Sequence, residues 1–396
     1  MKADDNNLKK KTHEIFSYPF ERAKVDAFFL VHYLNTINNI GIKSVLFKYF
    51  PYSLLYKYIG KNVDYVFYGM KYMDLARSLP LHKSIVLTSF RDRKLFEKDR
   101  NLFFSPIEYI WYGVRKVFNT DPLLEKKSSE KIINFTIELF KRTSPKFLIV
   151  SNDSLFIERF LIYCAREAGI QTICIQHGIF QKKSNPILLD GKYADFMYTW
   201  SRKQKDLLRS GSSTSELKIL GYPFQILASE KFTMDYDTSK ICILGQPWEN
   251  YDRKLGEKKK QIFGKVVSQF LDIAYKPHPA ENDLNYFPDN VSVFTGSLSE
   301  AILEYDYFFS ITSTALIEVS LAKKIAIQLY DEDFPSDVFE KEGLSYTYDL
   351  LTNTDLRQYI DEINEPFPIE EDALLVPEDI GERFLDIEKS IENKKA

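Results

Sequence analysis

Two short motifs in this chain carry residue types that can do chemistry together. Lys276-Pro277-His278-Pro279 closes a β-branched and aromatic run, Asp272 to Tyr275, and Thr312-Ser313-Thr314 opens a helix-like segment further on. Each proline fixes its own φ and biases the residue before it toward extended backbone. His278 is therefore expected at a strand end, its imidazole aimed by a stiffened main chain. Hydroxyls at a helix start stand beside free N–H groups and the positive end of the helix dipole, a cradle for phosphate. A histidine and a phosphate cradle at the carboxyl ends of neighbouring strands predict group transfer from a nucleotide donor. The imidazole would donate to a phosphate oxygen as the nucleotide leaves. Lys276 and Pro279 flank the histidine, and Glu318, one turn into the helix, is placed to accept from ribose hydroxyls.

Three further groups face the same task. Gln176-His177-Gly178 ends an earlier strand, where glycine permits a sharp turn and close ligand approach, so His177 is expected to face the cleft from the opposite side. Asn152-Asp153-Ser154 follows another strand; Asp153 either takes the proton of an acceptor hydroxyl or caps the next helix. Gly245-Gln246-Pro247 is a candidate donor-loop contact. The pairs Asp235/Asp237 and Asp331/Asp333 have the spacing of a divalent-cation clamp but read as ordinary loop carboxylates, so no metal is expected.

The elements that must position these residues alternate along the chain. Apolar runs Ser84–Thr88, Phe147–Ser151, Thr172–Gln176, Phe196–Trp200 and Lys218–Leu220 read as strands, and Leu155–Ala168 as a helix stopped by Gly169. Strand, helix, strand at this spacing is a βαβ unit and implies a parallel sheet. After a polar linker, 229–240, a second series follows: Ile241–Leu244, Ile273–Tyr275, Val291–Phe294, Tyr307–Ile311 and Ile325–Leu329, with helices at Lys254–Phe270 and Ala315–Ala322. The expectation is an α/β protein of two Rossmann-like domains facing across a cleft, 1–228 and 241–396. No Gly-x-Gly-x-x-Gly and no Walker loop occurs, which disfavours a dinucleotide oxidoreductase and a P-loop kinase.

Composition narrows the setting. With 396 residues the chain can hold two full cores. Its three cysteines, Cys164, Cys174 and Cys242, sit in apolar stretches without metal spacing and read as buried reduced thiols of a cytoplasmic protein. The polar start has no secretory signal, and no apolar run is long enough to cross a bilayer. Residues 351–396 hold 13 acidic and 5 basic side chains, leaving about +5 of the net −3 on the preceding 350 residues. That mild excess suits phosphorylated substrates or an anionic membrane face, without any nucleic-acid motif. The acidic end reads as a solvated segment. The aromatic residues among lysines, Phe47–Tyr58 and Tyr65–Tyr72, read as core, with a membrane- or acceptor-facing surface as the alternative.

On His278-Pro279 and Ser313-Thr314, with the surrounding pattern Tyr307–Leu329, the chain resembles bacterial glycosyltransferases of the two-Rossmann GT-B type. The resemblance points to the metal-independent enzymes that use CMP-activated keto-sugars: lipooligosaccharide sialyltransferases, polysialyltransferases and capsule Kdo-type transferases. It spans mainly residues 241–330, with Gln176-His177-Gly178 in weaker support. It implies that His278 contacts the CMP phosphate and serves as general acid, while Ser313 and Thr314 bind the same phosphate. The implied partners are a nucleotide-sugar donor and a glycan or glycolipid acceptor at the inner face of the membrane, in capsule or lipopolysaccharide assembly. The family's acidic base motif has no counterpart here. CDP-glycerol polymerases are also similar, with Gln176 in place of their tryptophan before His-Gly, so polyol-phosphate transfer is an alternative. A GT-B shell that binds glycan without catalysis is another.

Overall fold

The computed structural model describes residues 63–80, 84–88, 102–104, most of 134–153, 156–181, 191–210, 213–224, 236–250, 252–281, most of 287–353 and 355–393. The stretch Phe47–Tyr58, Asp235 and most of the expected linker lie outside them. Within them, strands and helices build two sheets. The first contains β1 (Tyr65–Tyr68), β2 (Ser84–Thr88), β3 (Leu102–Phe104), β4 (Phe147–Val150), β5 (Gln171–Ile175), β6 (Phe196–Thr199) and β7 (Glu216–Ile219), in the order β3-β2-β1-β4-β5-β6-β7. The second contains β8 (Ile241–Leu244), β9 (Ile273–Lys276), β10 (Val291–Val293), β11 (Tyr307–Ser310), β12 (Ile325–Tyr330) and β13 (Tyr346–Asp349), in the order β10-β9-β8-β11-β12-β13. Every ladder is parallel.

Parallel strands covered on both faces read as unbroken apolar runs, as central strands such as β4 and β8 do, whereas the edge strands β7 and β10 carry exposed residues. In β4, Leu148 and Val150 pack into one core while Phe147 and Ile149 pack into the core on the other face. In β8, Ile241 and Ile243 face one layer and Cys242 and Leu244 the other. Tyr65, Phe67 and Tyr72 are buried, so the aromatic stretch 65–72 is core. All three cysteines are buried and free. Helix α1 (Met73–Ser78) follows β1, α2 (Phe156–Glu167) joins β4 to β5, and α3 (Arg202–Ser210) joins β6 to β7. Around the second sheet run α4 (Arg253–Val267), α5 (Leu298–Glu304), α6 (Ala315–Leu321) and α7 (Leu356–Asp361).

The last helix, α8 (Ile380–Asn393), corrects the expected domain boundary. It packs on the first sheet, not the second. Phe384 sits edge-on to Tyr65 and tilted against Tyr198, the Tyr65 hydroxyl donates to Glu388, and Lys146 pairs with Glu388 and Glu392 at 3.4 and 3.1 Å. The chain returns along 372–377, where Leu375 N donates to Trp200 O and Tyr222 N to Leu375 O. The acidic end is thus partly a strap: Phe384 and Ile391 are buried, and Glu388 is buried between them on the same stripe. At the other crossing, Tyr236 already belongs to the second half, donating to Lys323 O at 3.0 Å and packing against Tyr307. Among the described residues no helix is long and apolar enough to cross a membrane.

Candidate active site

The order of the second sheet reverses between β8 and β11, and ligands of open α/β sheets bind outside the strand carboxyl ends at such a reversal. Gly245-Gln246 leaves β8 there, His278 leaves β9, and Thr312-Ser313 leaves β11. Gln246 bridges the reversal itself: its Oε1 accepts from Thr312 N and from Thr312 Oγ1, both at 2.8 Å. The sequence places Gln246 and Thr312 on the ligand; the structure commits them to each other. A cleft of about 730 Å³ opens beside this junction, walled by Gly245, Lys276, His278, Pro279, Phe294 and Ser313 among others.

His278 stands in a tight turn. Its Nδ1 accepts from Ala280 N at 3.1 Å, its own N–H donates to Glu281 Oε2 at 2.6 Å, and Asn250 Nδ2 holds Ala280 O at 2.9 Å. An accepting Nδ1 places the proton of the neutral ring on Nε2, leaving one N–H donor for a ligand. The ring's outer side is exposed, yet loss of water on its inner side draws the imidazole pKa below its ordinary 6.5. The Lys259 charge adds to that shift, and the Glu281 and Glu249 carboxylates oppose it. In the free protein at neutral pH, His278 is a hydrogen-bond donor rather than a charged acid.

The hydroxyl cradle is smaller than the sequence predicts. Thr312 is buried on Gln246, and Thr314 makes no capping bond to the seven-residue α6. Ser313 Oγ accepts from Ala315 N at 3.2 Å and keeps its own proton to give. Of these three residues, Ser313 is the one that lines the cleft together with His278, where Thr295 and Ser297 also stand. Lys276 lines it too, but its ammonium donates to Gly296 O and lies 5.9 Å from the centre of the Phe294 ring. The Asp331 and Asp333 carboxylates both pair with Lys258.

The first sheet approaches from the other side. A Cβ added to Gly178 would meet Thr314 Cγ2 at 3.7 Å, so the His177-Gly178 turn rests against the start of α6. His177 presents its carbonyl to the Lys71 ammonium. Glu318 points to the same place: burial raises its pKa, while Lys71 and a hydrogen bond with Tyr222 oppose the rise. His177, Thr314 and Glu318 therefore meet where the halves touch, beside the cleft rather than on its wall.

Asp153 is not an exposed base. It is fully buried, and its carboxylate accepts from the backbone N–H groups of Gly191, Lys192, Tyr193 and Ala194 at 2.7–3.0 Å. A carboxylate holding four amide donors is committed to that loop and anchors it.

No protein-family model and no curated protein matches the chain. Solved structures do. S. aureus MnaA bound to UDP superposes with a TM-score of 0.53 at 13% identity, over 84% of this chain and 97% of that one. A putative UDP-N-acetylglucosamine 2-epimerase from Listeria monocytogenes gives 0.53 at 11% identity, over 85% and 98%. The lipopolysaccharide outer core galactosyltransferase WaaB, without ligand, gives 0.51 at 11% identity, over 82% and 99%. The chain has the GT-B fold.

Within this GT-B framework the sequence reading missed the residues beneath the cleft. Lys259 is fully buried on α4 and binds Glu281 Oε1 at 2.6 Å, Glu249 Oε2 at 2.7 Å and Gln246 O at 2.8 Å. The Tyr275 hydroxyl donates to the same Glu281 oxygen at 2.6 Å. In sequence Lys259 stands in the middle of the run Lys258-Lys259-Lys260. The one available signal was the spacing of Gly256, Lys259, Phe263 and Val266, which puts the middle lysine on the buried stripe.

Proposed function

We propose that this GT-B chain is an inverting glycosyltransferase that moves a sugar from a nucleotide donor, CMP-activated and of the keto-sugar kind, to a surface-glycan or glycolipid acceptor. The observation that carries the reading is the meeting of the His278 Nε2 donor and the Ser313 hydroxyl in one cleft at the reversal of a parallel sheet. The donor phosphate lies between them. An acceptor hydroxyl oxygen attacks the anomeric carbon and gives its proton to a carboxylate base. The bond from that carbon to the phosphate oxygen breaks, and the nucleotide leaves with the electron pair. His278 and Ser313 donate hydrogen bonds to the negative charge that grows on the phosphate, which favours the transition state over the bound donor. No metal is assigned to this role, and the acceptor would be met at the inner face of the membrane.

CMP over other nucleotides rests on the His-Pro and Ser-Thr resemblance, whereas MnaA, similar in fold, was captured with UDP. UDP is therefore the sharpest competitor. The test is a thermal-shift panel of CMP, CDP, UDP, UMP, GDP and ADP on the purified protein, followed by turnover with CMP-sugars and CDP-glycerol. A ligand at a hundred times its Kd stabilises the fold by about 2.7 kcal/mol. Selective stabilisation by CMP with CMP-sugar turnover is the expected result. Preference for UDP, or turnover of CDP-glycerol alone, would overturn the CMP-sugar assignment, and silence toward all nucleotides would overturn the enzyme reading.

A further inference from the structure

The two arms of the phosphate site are joined underneath by one continuous buried chain of polar contacts. From the histidine side, His278 N–H meets Glu281 Oε2, and Glu281 Oε1 meets the Lys259 ammonium. From the hydroxyl side, Thr312 N–H and Oγ1–H meet Gln246 Oε1, and the Gln246 carbonyl meets the same ammonium. Neither the Lys259 nor the Glu281 side chain is exposed at all. Gly245 packs so closely on this hub that an added Cβ would overlap the Glu281 carboxylate and the Tyr275 hydroxyl.

We propose that Lys259 is a positioning residue for donor recognition: through Glu281 and Gln246 it fixes the His278 turn and the Thr312-Ser313 segment relative to each other, and so sets the gap in which the phosphate is held. This rests on the glycosyl-donor reading above. The physical argument is cost against alternatives. A buried ion pair gives little net stability compared with well-packed apolar residues, so its stability alone does not explain why this one sits here. A three-proton ammonium can, in contrast, tie separate chain segments to one point, here with two bonds to the 245–250 loop and one to the 277–281 turn, which an apolar side chain cannot. The segments it ties are the 245–250 loop, the 277–281 turn and, through Gln246, the end of β11. Lys259 does not touch the cleft; it acts through the residues that do. Its charge also faces the His278 imidazole together with the Glu281 and Glu249 carboxylates, so removing it unbalances the field at the ring.

The test compares Lys259→Met, Lys259→Arg and the paired Lys259→Met/Glu281→Leu in the full chain. The paired variant removes both charges and so keeps the fold testable if the single one unfolds. Two readouts are taken. The first is the Kd for CMP and UDP. The second, which needs no ligand, is backbone hydrogen exchange in peptides covering 276–282 and 310–316. The expected result is at least tenfold weaker nucleotide binding in the folded apolar variant, faster exchange in both peptides at once, and binding within about threefold of wild type in Lys259→Arg. A folded Lys259→Met or paired variant with wild-type exchange across 310–316, or with wild-type affinity, would overturn the proposal. Should the wild type bind neither nucleotide, the functional reading fails. The exchange measurement then decides by itself whether Lys259 couples the two segments.

Discussion

Lys259 and Glu281 form an ion pair of 2.6 Å with both side chains wholly shielded from water, directly under the turn that carries His278. Breaking such a pair by removing one partner leaves a buried charge, which costs about 3–5 kcal/mol. Glu281→Leu alone is expected to lose about that much in urea unfolding. The paired Lys259→Met/Glu281→Leu is expected to recover most of it. A double-mutant cycle in which the two losses simply add would refute the pairing.

The His278 imidazole is expected to titrate below 6.5 in the free protein, because burial and Lys259 disfavour its charged form. The unfolded chain then binds the proton more readily than the folded one. The contribution of His278 to stability is therefore complete above the ordinary pKa and falls away as the pH drops below 6.5. His278→Gln should flatten that part of the acid limb between pH 7 and 5. NMR titration of the wild-type imidazole checks the first statement, and urea unfolding of wild type and variant across that pH range checks the second; a pKa above 6.5, or equal acid limbs, would contradict them.

Asp153→Asn should act on the loop it anchors. Converting a carboxylate that holds four amide donors into an amide loses charge-assisted bonds worth about 1.5–3 kcal/mol each before compensation. The expected outcome is a lowered Tm and faster exchange across 191–194, with lost turnover tracking the lost folded fraction. Full stability with abolished turnover would restore Asp153 as a candidate base.

Phe384 on α8 is completely buried against the first sheet although it comes from the far end of the chain. Phe384→Ala is expected to cost about 3–5 kcal/mol. Exchange should speed up around Tyr65–Tyr68 and Phe196–Thr199, the strands it covers. Changes confined to the second sheet would contradict the crossing of α8.

The alternation of strands and helices was readable because parallel strands buried on both faces leave short apolar runs between turns, as in Ile241–Leu244 and Phe147–Val150. Tyr65–Tyr68 was legible as core but not as a strand, because four aromatic and β-branched residues between Asp64 and Gly69 do not by themselves show how they pair. The crossing of α8 was invisible for a different reason. A stripe of two or three apolar residues in an acidic helix shows that a face is buried but not which sheet buries it. His278, Ser313, Lys276, Gly245 and Pro279, which line one cleft, were legible because strand ends and prolines are local signals. Gln246 and Thr312 bond each other, a pairing the sequence does not show, since a polar group at a strand end serves equally to bind a ligand or to hold its neighbour. Glu281 and Lys259 were missed because their roles exist only in the contact between distant segments.

The central claim is that His278 and Ser313 hold a nucleotide phosphate. Calorimetric titration of CMP and of cytidine, which differ only in that phosphate, isolates the contribution of these two side chains. The account predicts that wild type binds CMP at least tenfold more tightly than cytidine, and that His278→Gln and Ser313→Ala each shrink that ratio while leaving cytidine binding nearly unchanged. Equal affinity for the two in wild type, or a ratio that survives both substitutions, would contradict it.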